Sequence, residues 1–321
     1  MYTNSTILVT GGTGSWGMEL IRQLLRYNPR KIIVFSRNEN SQVLMRREFE
    51  DSRLNFCIGD IRDREALSTA CKSTDIVFHL AALKHVPICE DHPLESIKTN
   101  IIGTQNVIEA SIENNVRKVI YVSTDKAADP VNSYGMTKAL GEKLIIHANQ
   151  KDSATKFICV RGGNVLGSSG SVIPLFKQQI KEKNHVLITD KKMTRYFVTP
   201  QSAIETLLKA SELGNGGEIY VMHMDACKIL DLAEVLIERY GNEDTKIIEV
   251  GARPGEKIHE VLIGKNEEEI AKVYDKDLII ISPTISKKLS GQLPSILTDT
   301  TRKLLNKTEV KDLLTIGGFL D

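Results

Sequence analysis

The apolar run Thr6 to Thr10 passes directly into Thr10-Gly11-Gly12-Thr13-Gly14-Ser15-Trp16-Gly17, and an amphipathic stretch follows. Two glycine registers overlap there: Gly12, Gly14 and Gly17 spell GxGxxG, while Gly11, Gly14 and Gly17 spell TGxxGxxG. In either register the backbone turns tightly between a strand and a helix and comes close to an anion at the helix N-terminus, where free amides and the helix dipole favour negative charge. Gly11, Thr13, Gly14, Ser15, Trp16 and Gly17 are therefore the expected cradle of a dinucleotide pyrophosphate. A chain that opens this way is confined to the α/β class.

The following residues keep that rhythm. Short runs rich in Val and Ile alternate with longer amphipathic stretches, the pattern of βαβ units. Strands are expected at Thr6 to Thr10, Lys31 to Ser36, Leu54 to Gly59, Asp75 to Leu80, Lys118 to Ser123 and Lys156 to Arg161. Such a series closes as a Rossmann-like, doubly wound parallel sheet covered on both faces. After Arg161 the rhythm breaks into the Gly- and Ser-rich stretch Gly162 to Ser171. The expected division is a dinucleotide-binding domain over 1–165, with a return at about 197–222 through a helix at Pro200 to Leu213 and a strand at Glu218 to Val221. A smaller α/β substrate-binding domain takes about 166–196 and 223–321, and the Lys/Thr-rich end from Ser282 to Lys311 carries no assignable motif.

Composition narrows the classes of function. With 42 Lys plus Arg against 41 Asp plus Glu the net charge is +1, which argues against a nucleic-acid binder. No run approaches the ~18 apolar residues of a membrane span, and Met1 to Ser5 is too polar to open a secretory signal, so a cytoplasmic protein with no membrane partner is expected. Five cysteines, none spaced CxxC, fit reduced thiols.

The end of the second strand bears on the choice of dinucleotide. A carboxylate there bonds a free ribose hydroxyl, whereas cations accept a 2′-phosphate. This strand ends Phe35-Ser36-Arg37-Asn38, so Ser36 and Arg37 favour NADP. Asp60 and Ile61 after the third strand, and Ala81, Ala82 and Lys84 after the fourth, lie on the same carboxyl edge.

Chemistry gathers after the fifth strand, in Thr124-Asp125-Lys126 and then Tyr134-Gly135-Met136-Thr137-Lys138. Tyr134 and Lys138, four apart, share one helix face. A free phenol is a poor base at neutral pH, but an ammonium and a nicotinamide cation nearby would stabilise its phenolate. Cys89-Glu90-Asp91-His92 superficially resembles a metal cluster, yet consecutive side chains diverge and no metal is expected. His79 and His85 have no nucleophilic elbow beside them, which gives hydrolase chemistry little support.

With these motifs in place, the sequence resembles the extended short-chain dehydrogenases that act on nucleotide sugars. Thr124-Asp125-Lys126 is similar to the UDP-N-acetylglucosamine 4,6-dehydratases of bacterial surface-sugar pathways, where dTDP-glucose 4,6-dehydratases would show Thr-Asp-Glu. Further matching segments are Ala82 to Pro87, Thr99 to Thr104, Gly163 to Ser168, Ser171 to Pro174, Met193 to Tyr196 and Arg253 to Lys257. The resemblance implies internal hydride transfer from sugar carbon 4 through a tightly held NADP to carbon 6, with water lost between. Tyr134 and Lys138 would then serve oxidation, Thr124 would hold the carbon 4 oxygen, and Asp125 would protonate the departing hydroxyl. Lys126 would be the base at carbon 5, given burial or a neighbouring cation to lower its pKa. Lys84, Asn164, Val172, Arg195, Arg253 and Glu256 are the expected substrate contacts. Because Tyr134 stands where retaining relatives often have methionine, inversion at carbon 5 is implied, as is a homo-oligomer, dimer or hexamer. A retaining dehydratase, a UDP-sugar 4-epimerase or 4-ketoreductase, and a non-catalytic NADP-binding sensor are the alternatives.

Overall fold

In the computed structural model, which describes residues 1–151, 153–168, 170–282 and 303–320, each of the six expected strands is present to within one residue at either end. They are β1 (Thr6–Thr10), β2 (Lys31–Ser36), β3 (Leu54–Ile58), β4 (Ile76–His79), β5 (Lys118–Thr124) and β6 (Lys156–Gly162). Their order in the sheet is β3-β2-β1-β4-β5-β6, all parallel. β1 is fully buried along its length, which is why it reads as an unbroken apolar run rather than an alternating one. The strand order reverses between β1 and β4, so the carboxyl ends part there and leave a crevice.

Beyond β6 the sheet continues with Ile219–Met222, parallel to β6, approached through the helix Pro200–Leu213. Two more strands follow that the sequence division assigns to the second domain. Leu278–Ile281 pairs antiparallel with Ile219–Met222, and Ala271–Val273 pairs antiparallel with Leu278–Ile281. The reason is burial: Leu278, Ile279 and Ile281 are each nearly inaccessible to solvent, and the large sheet offers the apolar surface they need. The large sheet is therefore mixed at this edge. Residues 283–302, within the Lys/Thr-rich end, lie outside the described residues.

The intervening chain builds a second apolar cluster. Asn164–Val165, Thr194–Val198, Ala226–Lys228 and Leu304–Leu305 form a small sheet, and His185–Ile188 pairs with Lys246–Glu249. The helices Val172–Lys183, Ile229–Tyr240 and Lys307–Ile316 supply Ile173, Phe176, Leu232, Leu236, Val310 and Leu314 to its core. A fully buried Arg161 at the end of β6 bonds Glu142 of the helix Ser133–Ala148 and Glu267 of the 3-10 turn Lys265–Ile270, and it also donates to the Leu262 carbonyl. Among the described residues no helix is long and apolar enough to cross a membrane.

Candidate active site

A cleft of about 520 Å3 opens at the carboxyl ends of the parallel strands. Its first wall is the glycine turn. Gly11 has φ +69°, and a Cβ on it would sit 2.8 Å from the Ala81 nitrogen after β4, so only glycine lets the two turns meet. A Cβ on Gly17 would lie 2.6 Å from Gly12 Cα, so this glycine lets the helix Ser15–Leu25 start close against the turn. That helix is capped by Gly14 with no side-chain hydrogen bond and no acidic residue in its first turn. Its positive end is thus left for an anion, which fits a dinucleotide pyrophosphate.

Every residue expected to hold the cofactor lines this cleft: Gly11, Thr13, Gly14, Ser15, Trp16, Gly17, Ser36, Arg37, Asp60, Ile61, Ala81, Ala82, Lys84, Tyr134 and Lys138. At the β2 end Arg37 is exposed and 3.8 Å from Asp60. Partial burial raises the Asp60 carboxyl, but hydrogen bonds from Arg62 and the charges of Arg62 and Arg37 hold it below the usual range. Lys84 is depressed by burial against the cleft wall. His79 lies beneath the floor between Thr10 and Thr104, and burial together with the Lys138 charge pushes its imidazole down to about 3.

The chemical end of the cleft forms where β5 runs into the one-turn helix Asp125–Ala127. Thr124 Oγ1 donates to Asp125 Oδ1 at 2.8 Å, and Lys126 Nζ donates to the same oxygen at 3.0 Å. Thr124 and Lys126 line the cleft, while Asp125 is fully buried just behind them. Gly135 brings the next helix, Ser133–Ala148, against this turn: a Cβ there would overlap the Lys126 carbonyl oxygen. Asn132 caps that helix by accepting from Gly135 N at 2.8 Å, and its Nδ2 donates to Gly255 O at 2.8 Å.

One expectation about proton chemistry is revised here. Burial pushes the Tyr134 phenol up from its ordinary value, with a hydrogen bond to Thr124 pulling it back and the Asp125 charge pushing it up again. Lys138 does not relieve this directly. Its Nζ donates to the Val122 carbonyl at 2.7 Å and lies 3.8 Å from the Tyr121 ring centroid, and burial pushes it down to about 7 against the pull of Glu142. Lys126 Nζ has a second neighbour in Glu260 Oε1 at 3.5 Å, a residue that pattern reading missed because it arrives from a distant loop, and Lys257 shares that carboxylate at 3.8 Å.

Of the expected substrate contacts, Lys84 and Asn164 line the cleft. Val172, Arg195, Arg253 and Glu256 do not. Arg195 donates to the carbonyls of Thr194, Lys257 and Ile258, while Arg253 is exposed and pairs with Glu256 at 3.6 Å. Cleft residues that pattern reading overlooked include Thr99, Ser123 and Ser171, whose buried hydroxyls have no hydrogen-bond partner among the described residues. The only signal for them was their place inside or beside matching segments. Among the described residues no group of His, Cys, Asp and Glu is arranged to hold a metal.

Comparison with known proteins places the chain in context. Residues 7–282 match the family model described as polysaccharide biosynthesis protein. A Campylobacter jejuni protein named UDP-N-acetylglucosamine 4,6-dehydratase (inverting) is 44% identical over 89% of this chain and 85% of its own length. A Rickettsia prowazekii protein named UDP-glucose 4-epimerase is 39% identical over 98% of this chain and 96% of its own. The solved structure of Pen from Bacillus thuringiensis superposes with a TM-score of 0.90 at 38% identity, covering 98% of this chain and 99% of that one.

Proposed function

Since the chain belongs to the polysaccharide biosynthesis protein family, within the extended short-chain dehydrogenases, we propose that it dehydrates UDP-N-acetylglucosamine to a UDP-4-keto-6-deoxy-N-acetylhexosamine with inversion at carbon 5. The observation that carries this reading is the Asp125–Lys126 contact of 3.0 Å at the chemical end of the cleft, beside Thr124 and Tyr134. Oxidation at carbon 4 alone needs only one base. A second acid and base in contact give the means to remove the carbon 5 proton and protonate the leaving hydroxyl.

NADP held by the glycine turn and by Ser36 and Arg37 would supply the hydride acceptor and donor. Tyr134 takes the carbon 4 hydroxyl proton, steadied by Thr124. Its raised phenol must be offset by positive charge brought by the ligand. Lys84 and Asn164 reach the sugar or its diphosphate. The apolar side chains Leu94, Ile97, Ile102, Met136 and Leu140, all exposed on neighbouring helical segments, support assembly into a homo-oligomer through that surface.

The Rickettsia relative favours a second reading, a UDP-sugar 4-epimerase. A proton NMR time course with UDP-N-acetylglucosamine in deuterated buffer separates them. A new sugar methyl signal with deuterium at carbon 5, and couplings that report inversion, is the expected result. Epimerised sugar with its carbon 6 hydroxyl intact would replace the dehydratase reading by the epimerase.

A further inference from the structure

The Lys126 ammonium is held from two sides. Asp125 Oδ1 lies at 3.0 Å and Glu260 Oε1 at 3.5 Å, and Glu260 Oε2 lies 3.8 Å from Lys257 Nζ. Glu260 is 4% exposed, and its Oε2 has no hydrogen-bond partner among the described residues. Burying a carboxylate costs several kcal/mol unless it is paired, which makes an incompletely bonded one an unusual thing to keep in a core.

The chain fixes Glu260 firmly. Arg195 bonds the carbonyls of Lys257 and Ile258, Thr194 N donates to Ile258 O at 3.0 Å, and Thr194 Oγ1 bonds His259 Nδ1 at 2.8 Å. From the other side Lys257 Nζ donates to Ala128 O at 2.9 Å. An arginine expected to meet the substrate is thereby engaged in holding the loop that brings Glu260 to Lys126.

We infer that Glu260 is a positioning residue for the elimination step, holding the Lys126 side chain in line with Asp125 at the edge of the cleft. This rests on the reading of the chain as a 4,6-dehydratase. One proton transfer across the Asp125–Lys126 contact converts the ion pair of the structure into a carboxylic acid and a neutral amine. Elimination then breaks the carbon 5 C–H bond, with the proton going to Lys126 Nζ and its electron pair forming the carbon 5–carbon 6 double bond. The carbon 6–oxygen bond breaks, the oxygen takes the Asp125 proton, and water leaves. Asp125 ends as carboxylate and Lys126 as ammonium. While Asp125 carries the proton, Lys126 is a neutral amine that neither carboxyl group holds by charge, and Glu260 Oε1 lies 3.5 Å from it. As Nζ takes up the carbon 5 proton, the Glu260 carboxylate stabilises the ammonium that forms and keeps it in line with Asp125.

The test is Glu260→Gln, which keeps shape and removes charge. Single-turnover mixing with UDP-N-acetylglucosamine follows the reduced-nicotinamide absorbance for oxidation at carbon 4, and NMR follows deuterium at carbon 5 for elimination. The expected result is elimination slowed about 10- to 100-fold, the range for a displaced catalytic group, with oxidation little changed, so that reduced cofactor accumulates where the wild type shows none. Glu260→Asp, which restores the charge at shorter reach, should recover part of the lost rate, and it carries the same comparison if the glutamine variant does not fold. Equal slowing of both steps, or slowing of neither, overturns the positioning role while leaving the dehydratase reading intact. A wild-type enzyme that forms no deoxysugar overturns that reading and this inference with it.

Discussion

Replacing Gly135 by alanine tests whether the catalytic geometry depends on backbone contact between two elements. A Cβ at Gly135 would overlap the Lys126 carbonyl oxygen and lie 3.1 Å from its carbon and 3.2 Å from Pro130 Cβ. Carbon and carbonyl oxygen approach comfortably only to about 3.3 Å, so the helix Ser133–Ala148 and the turn Asp125–Ala127 must separate by about 1 Å. Neither side is a flexible side-chain end. The helix carries Tyr134, and the turn carries Asp125 and Lys126, so the separation falls across the reacting groups. Overpacking of this kind costs about 1–3 kcal/mol of stability, and a 1 Å misplacement costs about 100-fold in rate. The pyrophosphate cradle lies elsewhere and should be untouched. The assays are urea unfolding, calorimetric titration with NADP, and the NMR turnover rate. Gly135→Ala should turn over about 100-fold slower, and because the displaced helix also carries Tyr134 and Lys138 while the glycine turn and Arg37 stay in place, its loss of NADP affinity should be smaller than its loss in rate. A variant with wild-type turnover would refute the claim that this contact sets the site.

Arg37→Ala should lower affinity for NADP about 10- to 100-fold, the worth of charge-assisted hydrogen bonds, and leave NAD nearly unaffected; an unchanged ratio of the two affinities in calorimetric titration would sink the assignment of Arg37 to the 2′-phosphate. Lys138, pushed down to about 7 in the fold, regains an ordinary value near 10.4 when unfolded. Between those values the unfolded chain binds the extra proton, so stability should rise with pH across the window, the burial cost being fully present below the folded value. Lys138→Met should flatten that rise in urea midpoints measured without cofactor, and parallel curves would refute it. Arg161→Ala leaves Glu142 and Glu267 facing each other unpaired and should cost about 3–5 kcal/mol in urea unfolding, whereas a loss below about 1 kcal/mol would show that the network is solvated.

The parallel core was legible because its signals are local. β1 and the glycine turn are contiguous in sequence, and six apolar runs announce the strands, five of them largely buried. Most of the cleft wall was legible for the same reason: apart from Tyr134 and Lys138 on their helix, the residues expected there lie at or just beyond the carboxyl ends of those strands. What the sequence hid depends on contacts between distant segments. Leu278–Ile281 carries the same apolar signal as any buried strand, and nothing local says it will pair with Ile219–Met222 rather than join the smaller sheet. Arg195 has the chemistry of a phosphate ligand, and only the carbonyls of Lys257 and Ile258 folding beside it reveal its other use. Glu260 needed the same long-range contact to be seen. Lys138 shares a helix and the cleft lining with Tyr134, but helical spacing does not fix where its ammonium points.

Asn132 has a consequence for how such enzymes can be recombined. One amide both starts the helix bearing Tyr134 and bonds Gly255 in the segment leading to Glu260. The helix bearing Tyr134 and the segment Gly255 to Glu260 are therefore built to a common gauge. Exchanging the second lobe for a relative's would preserve this cleft only if the donor's counterpart of Gly255 to Glu260 came with it and met Asn132 at the same height. Recombining this scaffold is a problem of matching that seam before it is one of reshaping the pocket.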